Sequence, residues 1–84
     1  METTETRVAV LSILVKNRDS VHKLNTLLHD YADVIIGRMG IPYKARNINI
    51  ICIALDAPQT VISALSGKIG ALENVMVRAT YADA

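Results

Sequence analysis

The chain has 84 residues, which is the length of one domain. We expect residues 1–6 to form a disordered tail and residues 7–84 to form that single domain. Hydrophobic residues make up 51% of the chain and charged residues 20%, a composition that excludes an intrinsically disordered protein. Nine Lys and Arg against eight Asp and Glu leave a net charge of +1. A strongly basic nucleic-acid-binding protein is therefore excluded as the default, and we predict no direct contact with nucleic acid.

Cysteine content and apolar runs indicate where the protein works. Cys52 is the only cysteine, so no intrachain disulfide can form and a reducing compartment is favoured. No apolar segment follows a basic start at the N-terminus, so we expect no signal peptide. The longest uncharged run, residues 57–67, is far shorter than the ~20 residues that a membrane-spanning helix needs. We predict a cytoplasmic protein that does not contact membranes.

The first predicted elements are a strand and a helix. Residues 7–16 are rich in β-branched side chains and apolar at both odd and even positions, which predicts a central strand covered on both faces. A helix then begins with Asp19 or Ser20 as its N-cap. Leucines recur at helical spacing after these residues, and the helix is predicted to end near Ala32.

Two further strands follow this helix. Residues 33–41 predict a short strand, interrupted by Gly37 and Gly40 and ended by Pro42. Residues 47–55 predict a third strand, whose two faces are both apolar beyond the asparagines at its start.

The last predicted elements are a helix and an edge strand. The second helix opens at residues 56–58, with Pro58 in its first turn and Gly70 just after its last turn. Residues 74–81 predict a fourth strand with one mixed polar and apolar face, which is typical of the edge of a sheet.

The predicted order β-α-β-β-α-β indicates an α+β fold, namely a ferredoxin-like sandwich of a four-stranded antiparallel sheet with two helices on one face. In this topology the first and third strands are central, and these are the two strands whose faces are both apolar. The face without helices would expose a larger apolar surface than monomers usually do. We therefore expect the chain to pair with a second copy through that face, as a homodimer or as the unit of a larger assembly.

The most distinctive motifs of the sequence are IGRMG followed by Pro42 and Tyr43, DAP at residues 56–58, and ISAL with GKIG within residues 62–70. With the rest of residues 7–81, they resemble the family of iron-only hydrogenase system regulators. Members of this family are similar to ACT domains and to the C-terminal domain of nickel-responsive repressors. The resemblance implies a ferredoxin-like, ACT-like fold and a regulatory, ligand-sensing role, with no catalytic residues to transfer.

The segment GRMGIPYKAR, residues 37–46, is the strongest candidate for a ligand site. Its candidate binding residues are Gly37, Arg38, Gly40, Tyr43, Lys44 and Arg46. The three cations have no acidic residue between them, the glycines allow close backbone approach, and the tyrosine can stack on a planar ligand. Such a segment can bind a carboxylate or phosphate. Alternatively, the glycines form a bulge and a turn, and the cations protect a sheet edge from aggregation.

The loop after the first strand supplies two further candidates through the resemblance. ACT domains often bind amino acids at subunit interfaces near this loop, which here contains Asn17 and Arg18 and no glycine. Both side chains could bind a carboxylate. The expected ligand is therefore a small anion or an amino acid.

His22 and His29 are weak candidates for metal ligands, because the similarity extends to nickel-responsive repressors. Seven residues of helix separate them by ~10.5 Å, whereas a Zn–N bond is ~2 Å, so they cannot share one ion within the chain. We predict two solvated histidines, no metal and no cofactor; alternatively, one histidine binds a metal together with a partner subunit. Cys52 is expected to be a small buried hydrophobic residue.

No set of nucleophile, base and orienting residue is recognisable in the sequence, so we predict a protein that is not an enzyme. The leading hypothesis is a small oligomeric domain that senses a ligand and regulates another process. A metal-binding module that uses interface histidines is one alternative. A pure assembly protein without a ligand is another.

Overall fold

The elements of the chain follow one another in the predicted order. A computed structural model describes residues 5–82. Its main elements are β1 (Arg7–Val15), α1 (Arg18–Asp30), β2 (Ile35–Tyr43), β3 (Ile48–Ala57), α2 (Gln59–Gly70) and β4 (Val75–Tyr81). Short 3-10 turns, Ala32–Val34 and Lys44–Arg46, precede β2 and β3. The predicted tail, residues 1–6, lies outside the described residues except for Glu5 and Thr6, which precede β1.

The four strands form an antiparallel sheet in the order β2-β3-β1-β4. Leu11 of β1 lies opposite Ile53 of β3 on one side and opposite Ala79 of β4 on the other. The central strands are β1 and β3, the two whose faces are both apolar, and β2 and β4 are the edges. The predicted α+β, ferredoxin-like architecture is confirmed.

Both helices pack on one face of this sheet. Alternate residues of the central strands are buried beneath them, namely Ala9, Leu11, Ile13, Val15, Ile51, Ile53, Leu55 and Ala57. The helices contribute Leu24, Leu28, Ile62, Leu65 and Ile69 to the same core. Full burial of one large aliphatic side chain contributes about 1.5–3 kcal/mol, so this layer supplies most of the favourable free energy of folding.

The opposite face of the sheet is not covered by either helix, and we call it the open face. Its residues alternate with the core residues along each strand. The apolar ones are Val8, Val10, Leu14, Met39, Ile41, Tyr43, Ile48, Ile50, Cys52, Ala54 and Met76. One cross-strand row, Ile41–Ile50–Leu14–Met76, is apolar from edge to edge.

The N-terminus of α1 differs from the prediction. Asn17, in extended conformation, is the N-cap, because its Oδ1 accepts the backbone N–H of Asp19 at 2.9 Å. Neither predicted cap, Asp19 or Ser20, has that role. Ser20 is buried and donates its hydroxyl to the carbonyl of Glu73 at 2.6 Å. This bond anchors the start of α1 to the loop that precedes β4.

The second strand is longer than predicted, because β2 continues through Pro42 to Tyr43. Proline is tolerated at this position because β2 is an edge strand, where a missing N–H can face solvent. The register shifts beside Gly37, which confirms a bulge there. Gly40 lies within the strand and forms no turn, so most of the segment expected to be a ligand-binding loop is strand.

The ends of α2 also depart from the predicted pattern. Pro58 is the N-cap of this helix and Gly70 is its last residue, not the residue after it. Ala71 closes the helix with ordinary right-handed angles and donates its N–H to the carbonyl of Gly67 at 3.1 Å, so no left-handed glycine is needed there. Neither α2 nor any other helix within residues 5–82 has the length and apolarity to cross a bilayer.

Cys52 is half-buried and lies on the open face, which corrects the prediction that it is a buried hydrophobic residue. Its neighbours Ile51 and Ile53 point toward the helices, and successive strand residues point to opposite faces. Strand alternation therefore places the thiol on the side that α1 and α2 do not cover.

Candidate ligand-binding site

A cleft of about 510 Å³ lies at the end of the sheet where β1 and β2 end and β3 and β4 begin. The β1–α1 junction, the β2–β3 connection and the residue before β4 all contribute to it. Its lining residues are Lys16, Asn17, Arg18, Pro42, Tyr43, Lys44, Asn47, Ile48, Asn49 and Asn74. We call this the cationic cleft.

Strand register brings the segments of the cationic cleft together. Val15, at the end of β1, lies opposite Asn49 of β3. The next residue, Lys16, donates its backbone N–H to the carbonyl of Asn74 at 3.0 Å, which joins the end of β1 to the start of β4. Backbone pairing of rigid elements therefore sets the separation of the cleft walls.

Two asparagines with positive φ shape the turns that border the cationic cleft. Asn47 has φ 57° and Asn74 has φ 59°, both in the left-handed region. Asparagine enters this region more readily than other residues with a side chain. Asn47 also donates its backbone N–H to the carbonyl of Lys44 at 3.2 Å and so closes the 3-10 turn. At these two positions the chain turns without glycine and keeps a side-chain amide at the cleft.

The electrostatic character of the cationic cleft is positive. Its charged lining residues are Lys16, Arg18 and Lys44, all exposed, and the part of the lining that the structure describes includes no acidic residue. The N-terminus of α1, at Asn17 and Arg18, contributes a partial positive charge. A guanidinium group offers paired donors, while each ammonium acts as a compact charge, and both bind carboxylates and phosphates.

One wall of the cationic cleft is apolar and belongs to the open face. Tyr43 and Ile48 are direct cross-strand partners at the ends of β2 and β3. Tyr43 is 50% exposed and Ile48 is half-buried. A molecule that covers this end of the open face must therefore also contact the wall of the cleft.

Four of the eight predicted ligand-binding residues come together in the cationic cleft. They are Asn17, Arg18, Tyr43 and Lys44. The two glycines, Gly37 and Gly40, lie within β2 outside the lining. Arg46 lies in the exposed 3-10 turn after β2 and does not line the cleft.

Arg38 is directed away from the cationic cleft. It lies opposite Ile53 and thus on the helix side of the sheet, where its Nη2 donates to Oδ1 of Asn25 at 3.1 Å. There it borders a second, smaller cavity of about 320 Å³, which His29 also lines. The continuous basic segment of the sequence is therefore divided between two places by strand alternation.

Sequence reasoning missed the rest of the polar lining. These residues are Lys16, Asn47, Asn49 and Asn74. Asparagines at the first position of predicted strands are a usable signal, since asparagine favours tight turns with positive φ. Their convergence with Lys16 could be recognised only from the sheet order.

The two histidines lie apart from the cationic cleft. His22 and His29 are both exposed on α1, as predicted. Within residues 5–82, no group of three or more His, Cys, Asp or Glu is placed to hold a metal ion.

Comparison with known proteins shows which family and which kind of solved structure the chain is similar to. The family model described as "TM1266-like: Iron-only hydrogenase system regulator, putative" matches residues 7–79. The chain is also similar to a solved structure, that of the uncharacterized protein TM1266 from Thermotoga maritima, with a TM-score of 0.90 and 33% sequence identity. The match covers 93% of this chain and 99% of that chain. A search of the curated proteins finds no match.

Proposed function

Because the chain belongs to the TM1266-like family of iron-only hydrogenase system regulators, we propose that it is a non-catalytic regulatory domain that works as a homo-oligomer and senses a small anion in the cationic cleft. Binding of the anion alters the packing of two copies, and this change is the regulatory signal. The description of the family as regulators supports the non-catalytic role. A cytoplasmic location is part of the proposal, since an unpaired, partly exposed Cys52 suits a reducing compartment.

The open face supports self-association by its size and composition. Four strands of 7 to 10 residues, at ~4.8 Å between strands and ~3.3 Å per residue, give a face of roughly 500 Å² in projection. The accessible area of a corrugated face exceeds its projection, so this one is comparable with the ~800 Å² that each partner buries in a standard interface. A second copy presents the same apolar row from edge to edge, so a two-fold contact matches apolar surface with apolar surface.

The single observation that carries the sensing role is that Tyr43 and Ile48 belong both to the cationic cleft and to the open face. Both residues line the cationic cleft and both lie on the open face. A ligand that contacts these side chains changes their position or their freedom to move, and a second copy on the open face contacts the same side chains. The cleft and the proposed interface therefore share two residues, which gives occupancy of the cleft a direct route to subunit packing.

The expected ligand is an anion that Arg18, Lys16 and Lys44 can bind together, such as a carboxylate, a phosphate or an amino acid. Linkage makes the coupling reciprocal, because an anion that tightens the dimer must itself bind more tightly to the dimer than to the single chain. With one cleft in each copy, the dissociation constant of the dimer changes by the square of that ratio of anion affinities. A coupling of this type is typically 5- to 150-fold.

A thermal-shift screen tests the proposal, with carboxylates, amino acids, nucleotides and inorganic phosphate as the panel. We expect at least one anion to raise the Tm, because a ligand that binds the folded state stabilises it by mass action. Lys44→Ala should reduce the shift. Lys23→Ala, which removes the same charge from an exposed position on α1 outside the cleft, is the matched control and should leave the shift unchanged.

Three results would count against the proposal. If no anion of the panel shifts the Tm, the chain is better described as an assembly protein without a ligand. If Lys44→Ala and Lys23→Ala reduce the shift equally, the anion binds elsewhere or acts through general screening of charge. If metal analysis of the purified protein finds a full equivalent of nickel, iron or zinc per chain, and not a sub-stoichiometric amount, the metal-binding alternative takes precedence.

A further inference from the structure

The polar groups of the cationic cleft are of two kinds. Three are cations, Lys16, Arg18 and Lys44. Four are asparagines, namely Asn17, Asn47, Asn49 and Asn74. The nearest acidic residues along the chain, Asp19 and Glu73, lie outside the lining. Within the described lining, a bound ammonium group would therefore find no carboxylate to pair with.

This composition separates the classes of anion that the cleft can take. An amino acid carries its ammonium group within a few ångströms of its carboxylate, so three cations that attract the carboxylate also repel the ammonium. A phosphate ester carries up to two negative charges and no positive one. The lining therefore favours a phosphate over a zwitterion.

The volume and the apolar wall indicate a ligand that is larger than phosphate itself. Sites of about 300–1,000 Å³ hold drug-sized molecules, and this cleft measures about 510 Å³. Tyr43 with Ile48 provides an aromatic and aliphatic surface on which a flat ring can lie. The amide of Asn47, which directly precedes Ile48 and lines the same cleft, offers a donor and an acceptor side by side, which is the pattern that base edges complement.

We propose that the anion sensed by the cationic cleft is a nucleoside phosphate, with its phosphates near Lys16, Arg18 and Lys44 and its base against Tyr43. This inference rests on the proposed function, because it names the ligand class of the same site. Of the asparagines, Asn17 already accepts the N–H of Asp19 as the cap of α1, so Asn47, Asn49 and Asn74 are the amides that remain for the base and the sugar.

Isothermal titration with four separate probes tests this assignment: ADP, pyrophosphate, adenosine and phenylalanine. We expect ADP to bind at least about tenfold more tightly than pyrophosphate and at least about tenfold more tightly than adenosine, because the phosphate and base parts of the cleft both contribute. Phenylalanine should bind more weakly than ADP, since its ammonium has no partner in the lining.

Variants assign each part of ADP to its side of the cleft. Tyr43→Ala should reduce the affinity for ADP to that for pyrophosphate while leaving pyrophosphate unchanged, and Tyr43→Phe should preserve both affinities because it keeps the ring. Lys44→Ala should weaken ADP and pyrophosphate by the same factor. Lys23→Ala should weaken neither.

The outcomes distinguish failure of this assignment from failure of the proposed function. If pyrophosphate binds within tenfold of ADP, or Tyr43→Ala leaves the ratio intact, the base is not recognised and the assignment is wrong. If phenylalanine binds at least as tightly as ADP and loses binding in Lys44→Ala, the cleft is an amino-acid sensor, so the proposed function stands and the nucleotide does not. If none of the probes and none of the wider anion panel binds, both proposals fail.

Discussion

Lysine in place of Ile41 tests whether a second copy covers the open face. Ile41 belongs to the row that is apolar across all four strands, and 45% of it is exposed in the single chain. Full burial of an isoleucine side chain is worth about 1.5–3 kcal/mol, so burying the exposed 45% contributes roughly 0.7–1.4 kcal/mol per copy. In a two-fold dimer the residue occurs twice, and its loss removes roughly 1.4–2.7 kcal/mol from association.

The introduced ammonium group adds a desolvation cost to this loss. A charge buried without a partner costs several kcal/mol, reduced where a long side chain can reach solvent at the rim of the interface. We therefore expect Ile41→Lys to weaken the dimer by about 3 kcal/mol or more, which is about a hundredfold or more in dissociation constant. Within one chain the same change affects a half-exposed edge position, and stability should change by less than about 1 kcal/mol.

Light scattering across a dilution series measures the effect, starting from a chain mass of 9.2 kDa. The wild-type mass should fall from that of two or more chains toward one on dilution, and Ile41→Lys should show the single-chain mass at concentrations where the wild type is associated. Ala64→Lys, which places the same side chain on the exposed surface of α2, is the matched control and should follow the wild type. A wild type that remains a single chain at high concentration, or an Ile41→Lys chain that associates normally, would refute the reasoning.

Three further predictions concern the single chain. Ile53→Ala should lower the free energy of unfolding in urea by about 2–5 kcal/mol, because Ile53 is fully buried. Cys52→Ala on the open face should change this free energy by less than about 1 kcal/mol. Equal losses in the two variants would contradict the assignment of these residues to opposite faces of the sheet. Asn17→Ala should cost about 0.5–2 kcal/mol through loss of the α1 cap, and an unchanged urea midpoint would argue against the Asp19 contact. The pKa of Lys68 is raised above 10.5, mainly by its hydrogen bond to the Tyr31 hydroxyl. Tyr31→Phe removes this bond and should return the pKa of Lys68 toward 10.5, as measured by NMR titration. An unchanged pKa in the variant would exclude the bond. Because the folded-state pKa is the higher one, the stability from this bond is present below pH 10.5 and is lost as the pH rises through the raised pKa.

The sheet could be predicted because two independent signals, the apolar pattern of the strands and the order of the elements, identify the same two central strands. Residues of β1 and β3 are apolar at odd and even positions alike, and the β-α-β-β-α-β order independently places the same two strands in the centre. Local propensity and chain topology point to one answer here. The prediction of fold therefore succeeded even where individual boundaries were wrong.

The extent of β2 could not be predicted, because its local signals favour a loop. Gly37, Gly40 and Pro42 all weaken a strand when considered alone. Pairing with β3 along the whole segment outweighs them, and the edge position tolerates the proline. Tertiary hydrogen bonding decided this element, and a single sequence does not display it.

Only half of the predicted ligand-binding residues line the cleft, because the sequence does not show how a strand separates neighbouring side chains. The segment that contains Arg38 and Lys44 looks like one basic loop in the sequence, but the strand sends Arg38 to the helix side and leaves Lys44 beyond the strand end. Lys44 lines the same cleft as Lys16 and Asn74, which are distant from it in sequence. A run of charged residues in a strand therefore does not form one site, because successive side chains of a strand point to opposite faces of the sheet.

The most direct test of the account compares subunit dissociation with and without the anion that gives the largest thermal shift. Light scattering or sedimentation across a dilution series, at saturating and at zero anion, yields the two dissociation constants. We predict that they differ by at least about fivefold, and that this ratio is the square of the ratio of the anion's affinities for the dimer and for the single chain, because each copy has its own cleft. Identical dissociation constants, with the anion bound in the cleft in both cases, would contradict the claim that occupancy of the cleft is read out through the packing of two copies.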